Sequence, residues 1–282
     1  MIPNPGELNG SPGFSASGET ALTATTHNQT IVDQFTRQAV PFSQKTAMSS
    51  DAIFSLMLEM CQITSQDIVL DVACGPGLTA CAAAAVADHV TGIDLTPAMI
   101  ERARLRQAEL GLTNLSWQVG DVYSLPFADN SFSLVLTRFS FHHFLNPAGV
   151  LAEMIRVCQP GGRVMVWDSI PVADKADAYN RLEMLKDPSH VRALPEEELL
   201  AIVRESGLAT IRTAPFNLEF EVEKQLTGMF PNPGDEEKIR QIYLENLTND
   251  TVGMGVHKRG DAIHFHYPTM IFVGTKPNEE SL

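Results

Sequence analysis

The sequence predicts an α/β fold: a mostly parallel sheet with helices on both faces. Two observations carry this. Short continuous apolar runs alternate with helix-patterned stretches four times between about 65 and 170, and strands that read this way lie in parallel sheets covered on both faces. The first run also ends in Ala73-Cys74-Gly75-Pro76-Gly77, a strand-to-helix turn whose glycines permit positive φ and close backbone approach.

Taken in order, 28–38 reads as a helix because Ile31, Val32 and Phe35 share a face. A second helix runs over 50–61, with Ser49, Ser50 and Asp51 as candidate N-caps. Strands follow at 67–73, 89–94, 115–119, 132–137 and 163–167, with helices at 78–87, 97–110 and 147–158 between them. Pro160-Gly161-Gly162 makes the turn before the fifth strand. Beyond 168 the alternation stretches: helices at 176–185 and 195–206, a strand at 210–220, mixed material over 222–254 and a final strand at 264–276. The expected organisation is a disordered tail over 1–26, an N-terminal helical lid over 27–62, and one domain over 63–282 with cap insertions at 170–192 and 221–262.

Composition narrows the partners. The chain has 282 residues, 44% of them apolar, with 20 Lys and Arg against 34 Asp and Glu, a net charge of −14. No run of Lys or Arg exceeds two residues, so neither nucleic acid nor an anionic membrane surface is an expected partner. A signal peptide and an apolar run of eighteen residues are both missing from the sequence, and the four cysteines form no CxxC pair. These features point to a cytoplasmic protein without metal, with its cysteines as small buried hydrophobes. Monomer and homodimer both fit.

Three groups converge on a nucleoside-like ligand. Ligands of doubly wound sheets bind beyond the carboxyl ends of the strands. Gly75 and Gly77 sit in the turn after the first strand, Asp94 ends the second, and Asp121 follows the third. Asp94 there can accept from two ribose hydroxyls, and charge-assisted bonds of this kind contribute about 1.5–3 kcal/mol each. Asp121 can accept from an adenine amino group beside the backbone of Val122.

The stretch 69–77 resembles motif I of class I S-adenosylmethionine-dependent methyltransferases. Thr91-Gly92-Ile93-Asp94-Leu95-Thr96-Pro97 resembles their ribose-binding segment, 120–132 their adenine segment and fourth strand, and 160–163 the turn before strand five. The likeness is nearest to the methyltransferase type 11 group, which includes the quinone-ring C-methyltransferases. It implies a Rossmann-like, seven-stranded fold and S-adenosylmethionine as cofactor, with S-adenosylhomocysteine as product. It also implies a cofactor site of Asp71, Ala73, Gly75, Gly77, Asp94, Leu95, Asp121, Val122 and Thr137. One departure is Ala73, where many members carry glycine. A dehydrogenase would need the full pyrophosphate loop and leaves the Gly120-Asp121 segment without a role.

The acceptor side is written less plainly. The fourth strand runs into Arg138-Phe139-Ser140-Phe141-His142-His143. Histidine titrates near neutrality, so His142 or His143 is the expected base or acceptor-orienting group; either could instead simply begin the next helix. Phe35 and Phe42 in the lid segment, Arg138, and His190 with Arg192 in the 187–192 loop are the expected acceptor contacts. The aromatic pair reads equally as core, and the loop equally as exposed surface. The quinone-ring enzymes carry an Arg-Asn pair about where His142 and His143 lie, so the expected acceptor is another small molecule, of secondary metabolism, methylated at N, O or C. The alternatives are a quinone-ring enzyme, or a protein that binds the cofactor and does other chemistry.

Overall fold

The computed structural model describes residues 24–43 and 51–278. Its centre is an eight-stranded sheet. Strands β1 (Ile68–Val72), β2 (His89–Asp94), β3 (Leu115–Val119), β4 (Phe132–Arg138) and β5 (Cys158–Ser169) run parallel in the order β3-β2-β1-β4-β5. The next strand in space is β8 (Ala262–Thr275), antiparallel to β5, with β6 (Ala209–Glu221) antiparallel at the edge. These are the seven expected strands; the eighth, β7 (His257–Arg259), pairs with β8 off this path.

Strand alternation builds two cores. Val69, Leu134, Leu136 and Met165 pack on one face against α2 (Asp51–Cys61) and α3 (Leu78–Ala84). Leu70, Val72, Val135 and Val164 pack on the other against α5 (Pro147–Val157) and α7 (Glu196–Glu205). Each such side chain contributes about 1.5–3 kcal/mol when removed fully from water. Small residues let α3 lie close to the sheet. Pro97 and Pro147 open α4 (Pro97–Glu109) and α5, where a missing N–H costs nothing. Asn146 caps α5 by accepting the Gly149 N–H at 3.0 Å.

The first helix, α1, spans Ala24–Ser43 and continues through Pro41, longer than the expected 28–38. Residues 24–26, expected in the tail, are therefore helical; the rest of that tail, and the candidate caps Ser49 and Ser50, lie outside the described residues. Asp51 is the first residue of α2. The helix expected to reach Cys158 ends at Val157, and the Pro160-Gly161-Gly162 turn is absorbed into β5. The two insertions fold onto each other: α6 (Ala176–Lys186) packs with α8 (Val222–Leu226) and α9 (Asp235–Asn249) around Tyr179, Leu182, Ile239, Tyr243 and Phe265. Among the described residues no helix is long and apolar enough to cross a membrane, and no group of His, Cys, Asp or Glu is arranged to hold a metal ion. All four cysteines are free and buried.

Candidate active site

The carboxyl ends of the five parallel strands open onto one edge. There a cavity of about 890 Å³ is lined by Ala73, Gly75, Asp94, Leu95, Asp121, Val122 and Arg138, with Asn28, Phe35 and Phe42 of α1 facing them. Ala73 has φ 55° and Gly75 φ 54°, and nothing lies within 4 Å of where a Gly75 Cβ would stand. The loop thus bares its backbone to the cavity. Asp94 locks it: one carboxylate oxygen accepts the Gly75 N–H and the other the Thr96 N–H, both at 2.8 Å. Burial raises the pKa of Asp94, against these bonds. Asp121 accepts the Tyr123 N–H at 2.9 Å and, across the cavity mouth, the amide of Asn28 at 2.9 Å.

Three residues expected in the cofactor site stand behind its wall. Gly77, at φ 77°, is required by packing, since a Cβ there would stand 2.7 Å from the Trp117 ring. Thr137 donates to the Val72 carbonyl at 2.7 Å and meets the hydroxyl of Ser140, which does line the cavity. Asp71 is buried under the loop; burial pushes its carboxyl up to about 8, against the backbone of Ala80 and the charge of Arg138.

A second cavity of about 700 Å³ adjoins the first and shares Phe35, Phe42, Phe139 and His143 with it. Its other walls come from Gln38 of α1, Glu183 and Asp187 at the end of α6, His190, Leu218 and Phe220 of β6, Gln225, and Tyr267 of β8. Phe139 sits between the two at φ 54°, a strained conformation for an aromatic residue.

Both histidines of the β4 segment border this second space, in opposite electrostatic settings. His142 Nδ1 lies 2.6 Å from Asp168 Oδ1, at the end of β5. Asp168 is held in turn by the N–H groups of Phe141 and Ser169, at 2.7 and 2.6 Å. Burial opposes a charge on His142, but Asp168, with Glu183 and Asp187 further out, outweighs it and holds the ring above its ordinary pKa. His143 is depressed, first by burial and then by the neighbouring His142.

Two expected acceptor contacts move. Arg138 lies in the first cavity, stacked 4.8 and 4.9 Å from the Phe139 and Trp167 rings. Arg192 lies outside the walls of both large cavities; it reaches Glu198 at 2.6 and 2.8 Å, drawn to the acidic first turn of α7. His190 does line the second cavity. Glu183 and Tyr267 on that wall, and Asp168 behind His142, are not among the residues the sequence singled out. The strand-end rule that picks out Asp94 would also have found Asp168; nothing in the sequence marks the other two.

The methyltransferase domain family matches residues 70–166. The uncharacterized methyltransferase YcgJ of Bacillus subtilis (strain 168) is 28% identical over 249 residues, 86% of this chain and 97% of its own. Its crystal structure covers 80% of this chain and 98% of itself, with TM-score 0.71 at 29% identity. The uncharacterized protein YafE of Escherichia coli (strain K12) is 34% identical over 163 residues, 57% of this chain and 78% of its own. Protein BH2331 of Bacillus halodurans C-125 superposes with TM-score 0.73 at 25% identity, over 80% of this chain and 100% of that one. Together the fold and the strand-end site define a Rossmann-like methyltransferase. The chain belongs to the class I S-adenosylmethionine-dependent methyltransferases, and S-adenosylmethionine is its cofactor.

Proposed function

We propose that this methyltransferase acts on a small molecule held in the second cavity, with His142 as the proton acceptor. The carrying observation is the wall shared by the two cavities, beyond which a histidine rests on a buried carboxylate. The bound cofactor supplies an activated methyl carbon on a sulfonium. The chain must then orient the acceptor, exclude water and take up the acceptor's proton.

Asp94 would hold the ribose and Asp121 with Val122 the adenine, while Ala73 and Gly75 cradle the methionine side. Arg138 is the one Arg or Lys among the described residues lining the first cavity, and so the group best charged to meet the cofactor's carboxylate. His142, with Nδ1–H donated to Asp168, keeps Nε2 as the receiving atom, the arrangement by which a carboxylate fixes a tautomer and stabilises an imidazolium. Phe35 and Phe42 belong to both chambers, and α1 acts as the lid over them.

Calorimetry and turnover separate these roles. Asp94→Ala is expected to weaken S-adenosylhomocysteine binding roughly tenfold or more, because a charged acceptor is removed and the Gly75 loop released. His142→Ala is expected to leave that binding within about twofold and to lower turnover about 10²–10⁴-fold. Equal loss of cofactor binding in His142→Ala would overturn the assignment.

A further inference from the structure

The second cavity presents bare acceptors, and its amide and phenol side chains each already hold a protein partner. Asn180 settles the state of His190. Asn180 Oδ1 accepts the Ala193 N–H at 2.7 Å, and its Nδ2 donates to the carbonyls of Ala176 and Ala193 at 2.9 and 3.0 Å. The amide therefore cannot be turned over. His190 Nε2, 2.7 Å from Oδ1, must donate, which leaves Nδ1 bare in the neutral ring. His143 Nδ1 lies 3.0 Å from the Ser189 carbonyl, which only accepts; it too must donate, which leaves Nε2 bare. Burial, followed by the neighbouring imidazoles, keeps both rings below the ordinary histidine range, so they are neutral acceptors at pH 7.

Elsewhere on the wall the donors face protein. Gln38 donates to Asp187 at 3.0 Å and Gln225 to the Tyr267 hydroxyl at 2.7 Å. Tyr267 donates to Glu183 at 3.2 Å. Lys186, fully buried behind this wall, is held by Glu183 at 2.5 Å and Tyr267 at 3.0 Å. No Arg or Lys is among the described residues lining the cavity, whereas Glu183 and Asp187 are, with Asp168 behind His142. Phe35, Phe42, Phe139, Phe220 and Tyr267 supply ring surface, and ring faces attract cations.

We propose that the acceptor is an amine on an apolar body, entering as its ammonium ion, with its N–H groups meeting His143, His190 and the wall carboxylates. This rests on the reading of the second cavity as the acceptor site. One ammonium proton passes to His142. The nitrogen lone pair so freed forms the bond to the methyl carbon, and the carbon–sulfur electron pair stays on sulfur. The product is the N-methylammonium ion, and the proton on His142 returns to solvent. An acceptor carrying carboxylate or phosphate would meet Asp187 and Glu183 with no Arg or Lys among the described wall residues to pair with.

The test is calorimetry on the full chain saturated with S-adenosylhomocysteine, using 2-phenylethylamine, 2-phenylethanol and phenylacetate as shape-matched probes. The amine is expected to bind at least tenfold tighter than the alcohol, and the acid weakest. Asp187→Asn and His190→Phe are each expected to shrink the preference of amine over alcohol several-fold while alcohol affinity holds. Met229→Trp, which fills the cavity from its wall, is expected to abolish probe binding and spare S-adenosylhomocysteine. Alcohol or acid binding as tightly as amine, or no probe binding at all, overturns the amine assignment. Probe binding that survives Met229→Trp overturns instead the reading of the second cavity on which it rests.

Discussion

His142 and Asp168, 26 residues apart in sequence, meet at 2.6 Å because β4 and β5 are parallel neighbours that end together. A base must be neutral to work, so the acid limb of the pH–rate profile is expected above the ordinary 6.5, and Asp168→Asn should move it down. Stability follows a different sign. His142, raised in the fold, contributes below 6.5 and loses that contribution as pH rises through its folded value. His143 and His190, depressed, contribute above 6.5 and lose it as pH falls below that value. Ala73 supplies a simpler test. It occupies φ 55°, where L-residues are strained by about 1–2 kcal/mol. Ala73→Gly relieves that strain against a larger unfolded-state entropy, and a gain of up to about 1 kcal/mol in urea unfolding is expected.

At the scale of elements, the end of the sheet away from the cavities is tied by one carboxylate. Asp67, just before β1, accepts from the Ser133 hydroxyl at 2.6 Å and the Thr64 N–H at 2.7 Å, and pairs with Arg163 of β5. Arg163 also donates to the carbonyls of Cys61 and Gln62, at 2.8 and 2.7 Å, so α2, β1, β4 and β5 meet in one knot. Burial resists the charge on Asp67, yet these partners hold its pKa below the ordinary value. Asp67→Ala leaves Arg163 without its carboxylate, and a loss of about 3–5 kcal/mol in urea unfolding is expected. S-adenosylhomocysteine affinity of the folded variant should be unchanged. The parallel strands were legible in the sequence because apolar runs such as 68–72 and 134–136 alternate with helix-patterned stretches, and Asp94 and Asp121 because strand ends are where such sheets bind ligands. The acceptor chamber was much less so. Its walls combine one face of α1, the end of α6 and positions on β6 and β8, with no fixed spacing to register them. Tyr267 and Glu183 become neighbours only once the insertions fold over the sheet.

Over the whole molecule, the −14 charge is not all surface. Asp71, Asp94 and Asp168 are buried around the cavities, and Glu183 is neutralised by Lys186. The remaining excess acid keeps molecules apart at neutral pH, so light scattering is expected to rise as pH falls toward the sequence pI of about 4.9. The position of β8 has a further consequence, for the order of synthesis. This strand is made after both its neighbours, yet it lies between β5 and β6 and carries Tyr267. Until it emerges, β5 ends the nascent sheet as an open edge with Val166 and Trp167 lacking their partners Phe272 and Ile271, and β6 has nothing to pair with. The strands of the cofactor chamber can pair from residues 68–169 alone; the acceptor chamber is finished only once β8 has emerged, so a chain arrested before residue 262 would be half a site with a sticky flank.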